Sequence, residues 1–302
     1  MLSHYLKILA LLWLTALGGW VVLTAGQLPP VLVALGAFFI LFAHSAVLAV
    51  EFVLLHRHHR GHPMHPAPVS LLIRACLGET GIALRVFLWE QAFRSQSEPD
   101  DWLNSAGQRP VLLIHGYLCN RGFWNLWMRK LRIARIPYRA ITLEPPFGSI
   151  DDGVDALNVA VHELTKATGL APLVVAHSMG GLSVRAWMRK HGAEDRVHHV
   201  VTIASPHRGA WLARYASSQN AKQIRIGGAW LTDLSRNEPP SRYRRFTCFY
   251  GHCDNVVFPM ELATLPGADN RHVASAAHIQ MACRDEVFFE VIRLLKASRT
   301  LA

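Results

Sequence analysis

Two uncharged apolar runs open the chain, Ile8 to Gln27 and Val31 to Val50. Each is close to the roughly 20 residues that a helix needs to cross a bilayer. The segment joining them is only Gly26-Gln27-Leu28-Pro29-Pro30. The pattern predicts a transmembrane helical hairpin over residues 1–55, with spans at about 8–27 and 31–50. A cleaved leader followed by one anchor is the alternative, because Lys7, the apolar stretch and Thr24-Ala25-Gly26 also fit a signal peptide. Residues 56–108 read as a basic linker and an amphipathic helix. The linker carries His56, His58, His59, His62 and His65 among prolines. Such a cluster can bind metal, but no carboxylate or cysteine lies nearby, which favours a solvated basic linker. Over residues 69–93, Leu71, Leu72, Ala75, Ile82, Val86 and Phe93 recur at helical spacing, with Arg74, Glu79, Arg85, Glu90 and Arg94 between them. This predicts an interfacial or domain-packing helix, broken near Gly78–Gly81. Ser95 to Gln108 is polar and reads as a loop.

From Arg109 the period changes. Short, nearly continuous apolar runs alternate with stretches of helical spacing. Strands are predicted at Val111–Ile114, Tyr138–Leu143, Leu173–Ala176, His198–Ile203 and Arg245–Tyr250. Helices are predicted at Gly122–Ala134, Asp151–Thr168, after Ser178, and at Asp285–Lys296. Strands apolar on both faces and separated by helices indicate a parallel sheet covered on both sides. Residues 109–302 are therefore the expected catalytic domain of an α/β protein.

Composition adds two constraints. The chain has 302 residues, 51% hydrophobic and 17% charged, and the apolar excess sits in the first 50 residues. Its formal net charge is +10. Basic residues gather at Arg121, Arg129, Lys130, Arg132, Arg135 and Arg139, and again at Arg236, Arg242, Arg244 and Arg245. Beside a membrane, such charge predicts contact with anionic headgroups. No nucleic-acid recognition motif accompanies it, so nucleic acid is not an expected partner. The hairpin loop has no basic residue, whereas Lys7 and the Arg57–Arg60 stretch flank the spans. By the positive-inside rule both flanks, and the catalytic domain, are expected on the cytoplasmic side. The five cysteines form no paired framework, and Cys248 with Cys253 would pair only in an exported domain.

The candidate chemistry begins at Ser178. It lies in Ala176-His177-Ser178-Met179-Gly180-Gly181, between an apolar strand and a helix. That context is a nucleophile elbow, a sharp turn presenting a serine hydroxyl at the tip of a sheet. A serine needs a base to take its proton and an acid to orient the base. Asp254 follows the strand ending at Tyr250, and Glu261 and Asp233 lie farther from that strand end. His278 precedes the closing helix and suits the base better than His272, which sits in strand-like Asn270-Arg271-His272-Val273. Two backbone N–H groups are needed for an oxyanion hole. Met179 is the expected source of one, and Tyr117, in Ile114-His115-Gly116-Tyr117-Leu118, of the other, with Leu118 as the alternative second donor.

Leu113-Ile114-His115-Gly116, the Ser178 hexapeptide and Thr202-Ile203-Ala204-Ser205-Pro206-His207-Arg208-Gly209 together resemble the bacterial triacylglycerol lipase and esterase branch of the α/β-hydrolases. The resemblance covers about residues 109–297. It implies an α/β-hydrolase fold, a mostly parallel sheet with helices on both faces, here preceded by two transmembrane helices. It also implies hydrolysis of carboxylic esters through an acyl-serine, with an ester or lipid substrate; no cofactor and no metal are expected, since the sequence shows no calcium site. His207 would then be structural or pocket-lining. With the charge pattern, it implies placement at a bacterial inner membrane. Two departures stand out: Ala176 replaces the usual first glycine, and the secreted lipases of that branch lack the hairpin. The same triad would serve an acyltransferase or thioesterase. A membrane-bound hydrolase-like scaffold without catalysis is the competing class. Trp211, Leu212, Trp230 and Leu231 are candidates for a cap or acyl channel, or for the core.

Overall fold

A computed structural model describes residues 1–59 and 67–297. The central part of the histidine-rich linker, with His62 and His65, lies outside the described residues. Six strands form one sheet: β1 Val111–Ile114, β2 Tyr138–Ile141, β3 Leu173–His177, β4 His199–Ile203, β5 Phe246–Tyr250 and β6 Asp269–His272. Their order is β2-β1-β3-β4-β5-β6, and every pairing is parallel. The predicted strands are all present, and the Asn270–His272 stretch forms the sixth.

Side chains alternate across each strand, so each strand supplies two cores. Leu112, Ile114, Val174, Ala176 and Val200 face one side. There they meet helix α7 (Val154–Thr168) through Leu157, Val161 and Leu164, and helix α8 (Met179–His191) through Leu182 and Trp187. Val111, Leu113, Leu173, Val175 and Val201 face the other side. They meet α6 (Asn125–Ile133) through Trp127, Met128 and Leu131, and α12 (Asp285–Ala297) through Val287, Val291 and Leu295. Each fully buried aliphatic side chain contributes about 1.5–3 kcal/mol, which makes this two-sided burial the main reason the sheet forms. Two predicted helices begin with a tighter turn. Arg121–Trp124 and Ile150–Gly153 are 3-10, the first capped by Asn120 and the second by Ser149. Both side chains accept a backbone N–H that the first turn leaves unpaired.

The N-terminal segment departs from its expected form. Helix α1 (Leu2–Thr24) is one continuous helix, long and apolar enough to cross a membrane, as a helix or signal sequence near an N-terminus can be. The second apolar run is broken. Helix α2 (Pro30–Leu41) ends at Phe42, and α3 (Ala43–His59) leaves at an angle of 58°. Only as a bent pair do α2 and α3 meet the requirement for a span. His44 lies just past the bend and reaches the Thr80 carbonyl at 3.4 Å, a polar demand that an uninterrupted span would leave in hydrocarbon. Trp13 and Trp20 of α1 donate to the Ile40 and Val33 carbonyls at 2.6 and 2.9 Å, tying α1 to α2.

The helix predicted over 69–93 is also present, but its distortion lies elsewhere. Helix α4 (Val69–Ala83) passes straight through Gly78–Gly81. It then continues as a π-helical stretch, Leu84–Glu90, into the short helix α5 (Gln91–Phe93). Gly78 is a packing glycine: a Cβ there would lie 1.8 Å from Gln280 Nε2. Helices α3 and α4 pack on each other and on the sheet domain, where Phe52, Leu55, Leu72 and Ala75 are buried with Cys253, Phe258 and Ala277.

The basic residues are largely neutralised within the fold. Arg121 is buried and pairs with Asp100 at 2.6 Å; Arg129 and Arg132 pair with Glu98 at 3.1 and 2.9 Å. Lys130 pairs with Asp285, Arg139 with Glu163, Arg242 with Glu194 and Glu238, and Arg245 with Asp195. Much of the cluster expected to face anionic headgroups is thus holding its own domain together. All five cysteines, Cys248 and Cys253 included, are free thiols.

Candidate active site

Strand order reverses between β1 and β3: β1 connects onward to β2 on one side, β3 to β4 on the other. In open α/β sheets, ligands bind at the carboxyl ends of the strands at such a switch point. Both predicted motifs lie there, His115-Gly116 after β1 and Ser178 after β3. Ser178 has φ 53° and ψ −130°, a conformation that L-residues rarely adopt. Its N–H donates to the Ile203 carbonyl at 2.8 Å, which holds the turn. Glycine spacing explains the rest of the elbow. A Cβ on Gly180 would meet the His115 carbonyl oxygen at 2.6 Å, and one on Gly181 would meet Ser205 Oγ at 2.4 Å. Ala176, the departure from the usual pattern, is absorbed harmlessly, since its methyl is fully buried in the core.

The loop after β1 comes equally close. A Cβ on Gly116 would lie 2.7 Å from Ser178 Cβ and 3.3 Å from its Oγ. His115 fixes this loop: Nδ1–H donates to the Gly116 carbonyl at 2.9 Å, while Nε2 accepts the Leu143 N–H at 2.9 Å. Burial lowers its pKa to about 4, so this imidazole stays neutral and serves as a brace. Leu118 follows at φ 55°. Tyr117 is anchored through its hydroxyl to Ser218 Oγ at 3.0 Å. Met179 is the first residue of α8, where backbone N–H groups have no acceptor within the helix.

Asp254 and His278 meet. His278 Nδ1–H donates to Asp254 Oδ1 at 3.0 Å, with Oδ2 at 3.2 Å. Asp254 is 1% exposed, and Oδ1 also accepts the Val256 and Val257 N–H groups at 2.9 Å each. The carboxylate is thereby held in place without a cation. His278 is the first residue of helix α11 (His278–Cys283). Burial opposes its charged form, but the Asp254 charge and hydrogen bond, then the charges of Glu79 and Glu51, outweigh it and raise its pKa. His177 supports the same residue, its Nε2–H donating to the His278 carbonyl at 3.1 Å while its ring stacks on Phe123.

Ser178, His278 and Tyr117 line one cavity of about 320 Å³. Leu212, Ala213 and Ile224 form one wall of it. The N-terminal helices line it as well, through Leu48 and Glu51 of α3, Glu79 and Ala83 of α4, and Phe87. Of the four cap candidates, only Leu212 lines the cavity. Trp211 packs on Phe258, Trp230 donates to Asp151 at 2.7 Å, and Leu231 is core. The rejected candidates lie elsewhere: His272 pairs with His252 at 2.8 Å, Asp233 with Arg189 at 2.6 Å, and Glu261 sits on the turn Met260–Ala263. His207 is buried beside Thr202 Oγ1 at 3.0 Å. No group of three or more His, Cys, Asp or Glu side chains fit to hold a metal occurs among the described residues.

The sequence profile of the Alpha/beta hydrolase family matches residues 111–288. The chain belongs to that family. No curated protein matches its sequence. Among solved structures, the hydrolase is similar to the mature lipase BlEst2 of Bacillus licheniformis, with 18% identity and a TM-score of 0.56 over 63% of this chain and 92% of that one. It is also similar to Aspergillus fumigatus lipase B, with 18% identity and a TM-score of 0.53 over 58% of this chain and 49% of that one. At such identities the likeness is one of fold. Both the matched region and the sheet begin at Val111, so α1–α5 precede the part held in common with the family.

Glu79, Glu51 and Asn255 are the site residues that sequence reasoning missed. The sequence pattern sets Glu79 among the polar positions that separate apolar ones, yet it is 1% exposed. Only its place one helical turn from Ala75 and Ala83, both buried, hinted at this.

Proposed function

We propose that this protein is a membrane-anchored serine hydrolase that cleaves carboxylic esters through an acyl-serine intermediate. The observation that carries the reading is the Asp254–His278 hydrogen bond, at 3.0 Å, with His278 lining the same cavity as Ser178 at its strained turn. With Nδ1 engaged by Asp254, Nε2 is the nitrogen available as base. It takes the Ser178 hydroxyl proton as Oγ attacks the ester carbonyl carbon. The Met179 and Tyr117 N–H groups stabilise the oxyanion. The imidazolium then returns the proton to the departing alkoxide, leaving the acyl group on Oγ. Water, deprotonated by the same nitrogen, attacks the acyl carbon, and the acid and free Ser178 are released.

Two further features support a lipid substrate at a membrane. The cavity walls are mainly apolar, and the structural neighbours named above are lipases. Leu9, Leu12, Leu14, Val22 and Leu23 of α1 and Val31, Phe38 and Phe39 of α2 all face outward, a surface that water would not favour. The flanking positive charge favours a cytoplasmic catalytic domain. Ser178→Ala should lower hydrolysis of a chromogenic ester by on the order of 10⁴-fold or more, with no fluorophosphonate labelling. Full activity in that variant would sink the proposal. For the topology, strong alkaline phosphatase activity from a C-terminal fusion would contradict the cytoplasmic placement.

A further inference from the structure

The first three backbone N–H groups of α11 are all held by side chains from outside that helix, and two carboxylates of the N-terminal helices stand behind them. Glu79 of α4 accepts the Ile279 N–H at 2.7 Å on Oε1 and the Gln280 N–H at 3.0 Å on Oε2. Asn255 Oδ1 accepts the His278 N–H at 3.2 Å, and Asn255 Nδ2 donates to Glu51 Oε2 of α3 at 2.6 Å. Glu51 and Glu79 both line the cavity that holds Ser178 and His278. Neither residue lies in the segment matched to the family. A carboxylate at a helix N-terminus is favourable, and one whose two oxygens each take a backbone N–H is also fixed in direction.

We propose that Glu79, seconded by Glu51 through Asn255, is a positioning residue for His278, so that the N-terminal helices complete the catalytic base. The inference rests on the serine-hydrolase reading above. Glu79 acts in two ways. It sets where α11 begins, and hence where the imidazole stands. Once ionised, above the pKa of about 7 to which burial raises it, Glu79 also adds negative charge to a pocket already holding Asp254, which favours the imidazolium formed during the reaction. The other groups facing this corner are His177, on the His278 carbonyl, and the thiols Cys76, Cys253 and Cys283. Burial keeps His177 neutral and raises the pKa of each thiol, so none of them offsets the carboxylates.

The test is the rate of Ser178 modification by a fluorophosphonate as a function of pH, on the full chain in detergent micelles. The unaltered protein, Glu79→Gln, Glu79→Asp and Glu51→Gln are compared. A neutral imidazole is required, so the rate rises with pH through the His278 midpoint. Glu79→Gln is expected to move that midpoint down by about one unit and to lower the plateau rate. Glu79→Asp restores the charge and should return the midpoint while leaving the plateau low. A helix cap with no electrostatic role would change the plateau alone, so an unmoved midpoint in Glu79→Gln overturns the inference. Should that variant fail to fold, Glu51→Gln must shift the midpoint the same way by a smaller amount, and no shift overturns it equally. Absence of labelling in the unaltered protein would overturn the serine-hydrolase reading itself, a different result from an unmoved midpoint.

Discussion

Gly116→Ala is the sharpest probe of the site, because its effect follows from distances alone. The added methyl would sit 2.7 Å from Ser178 Cβ and 3.1 Å from the His177 carbonyl oxygen. Relaxed carbon–carbon contact is about 3.5–4.0 Å, so roughly 1 Å must be found. His115 cannot yield it, being held at 2.9 Å on both ring nitrogens. Ser178 is pinned by its own N–H on Ile203 and by a strained turn. The displacement therefore falls on the Ser178 side chain or on the Tyr117 N–H beside it. A 1 Å misplacement of reacting groups costs on the order of 100-fold in rate, and overpacking a tight site costs about 1–3 kcal/mol in stability. Single-turnover acylation by a chromogenic ester, alongside a thermal melt, separates the two effects. Acylation within threefold of the unaltered protein would refute the claim that Gly116 sets the approach to Ser178.

Three more outcomes are expected. Asp254→Asn removes the group that fixes the His278 tautomer and should reduce kcat by roughly 10⁴ with little change in KM, as steady-state kinetics will show. Arg185→Met leaves the buried Glu238 without its main partner and should destabilise the fold by roughly 3–5 kcal/mol, read from denaturant unfolding. Burial raises the Glu79 pKa from 4.5 to about 7, against the lowering effect of its two backbone N–H bonds. A raised folded-state pKa gives stability present below the unfolded value and lost as pH rises through the folded one. Melting temperatures of the unaltered protein should thus fall relative to Glu79→Gln between pH 5 and pH 8; parallel curves would contradict this.

The sheet domain was legible because its signals are local. Val111–Ile114 is apolar at every position and Leu173–His177 at every position but the last, as a strand covered on both faces requires. Ser178 was legible because a serine followed by Met179-Gly180-Gly181 between strand and helix has few other uses. Asp254 and His278 followed from chain order, and the geometry brings them together. What escaped was set by distant packing. His44, just past the bend at Phe42, meets a carbonyl of Thr80, 36 residues away, which no local pattern announces. Glu79 is buried because α11, about 200 residues later, presents two N–H groups to it. Gly78 looked like a break because a glycine's value in packing is invisible until Gln280 arrives against it. Arg121 and Arg242 looked like surface charge until Asp100, Glu194 and Glu238 were found beside them.

The 58° bend between α2 and α3 joins the outward-facing apolar run to the wall of the cavity. Beyond the bend the surroundings of the chain change kind. Phe38 and Phe39 of α2 are exposed, whereas Phe52 and Leu55 of α3 are buried against the sheet domain and Glu51 is held by Asn255 at 2.6 Å. Phe42 is thus a seam: one side of it is apolar surface, the other is already part of the cavity's frame.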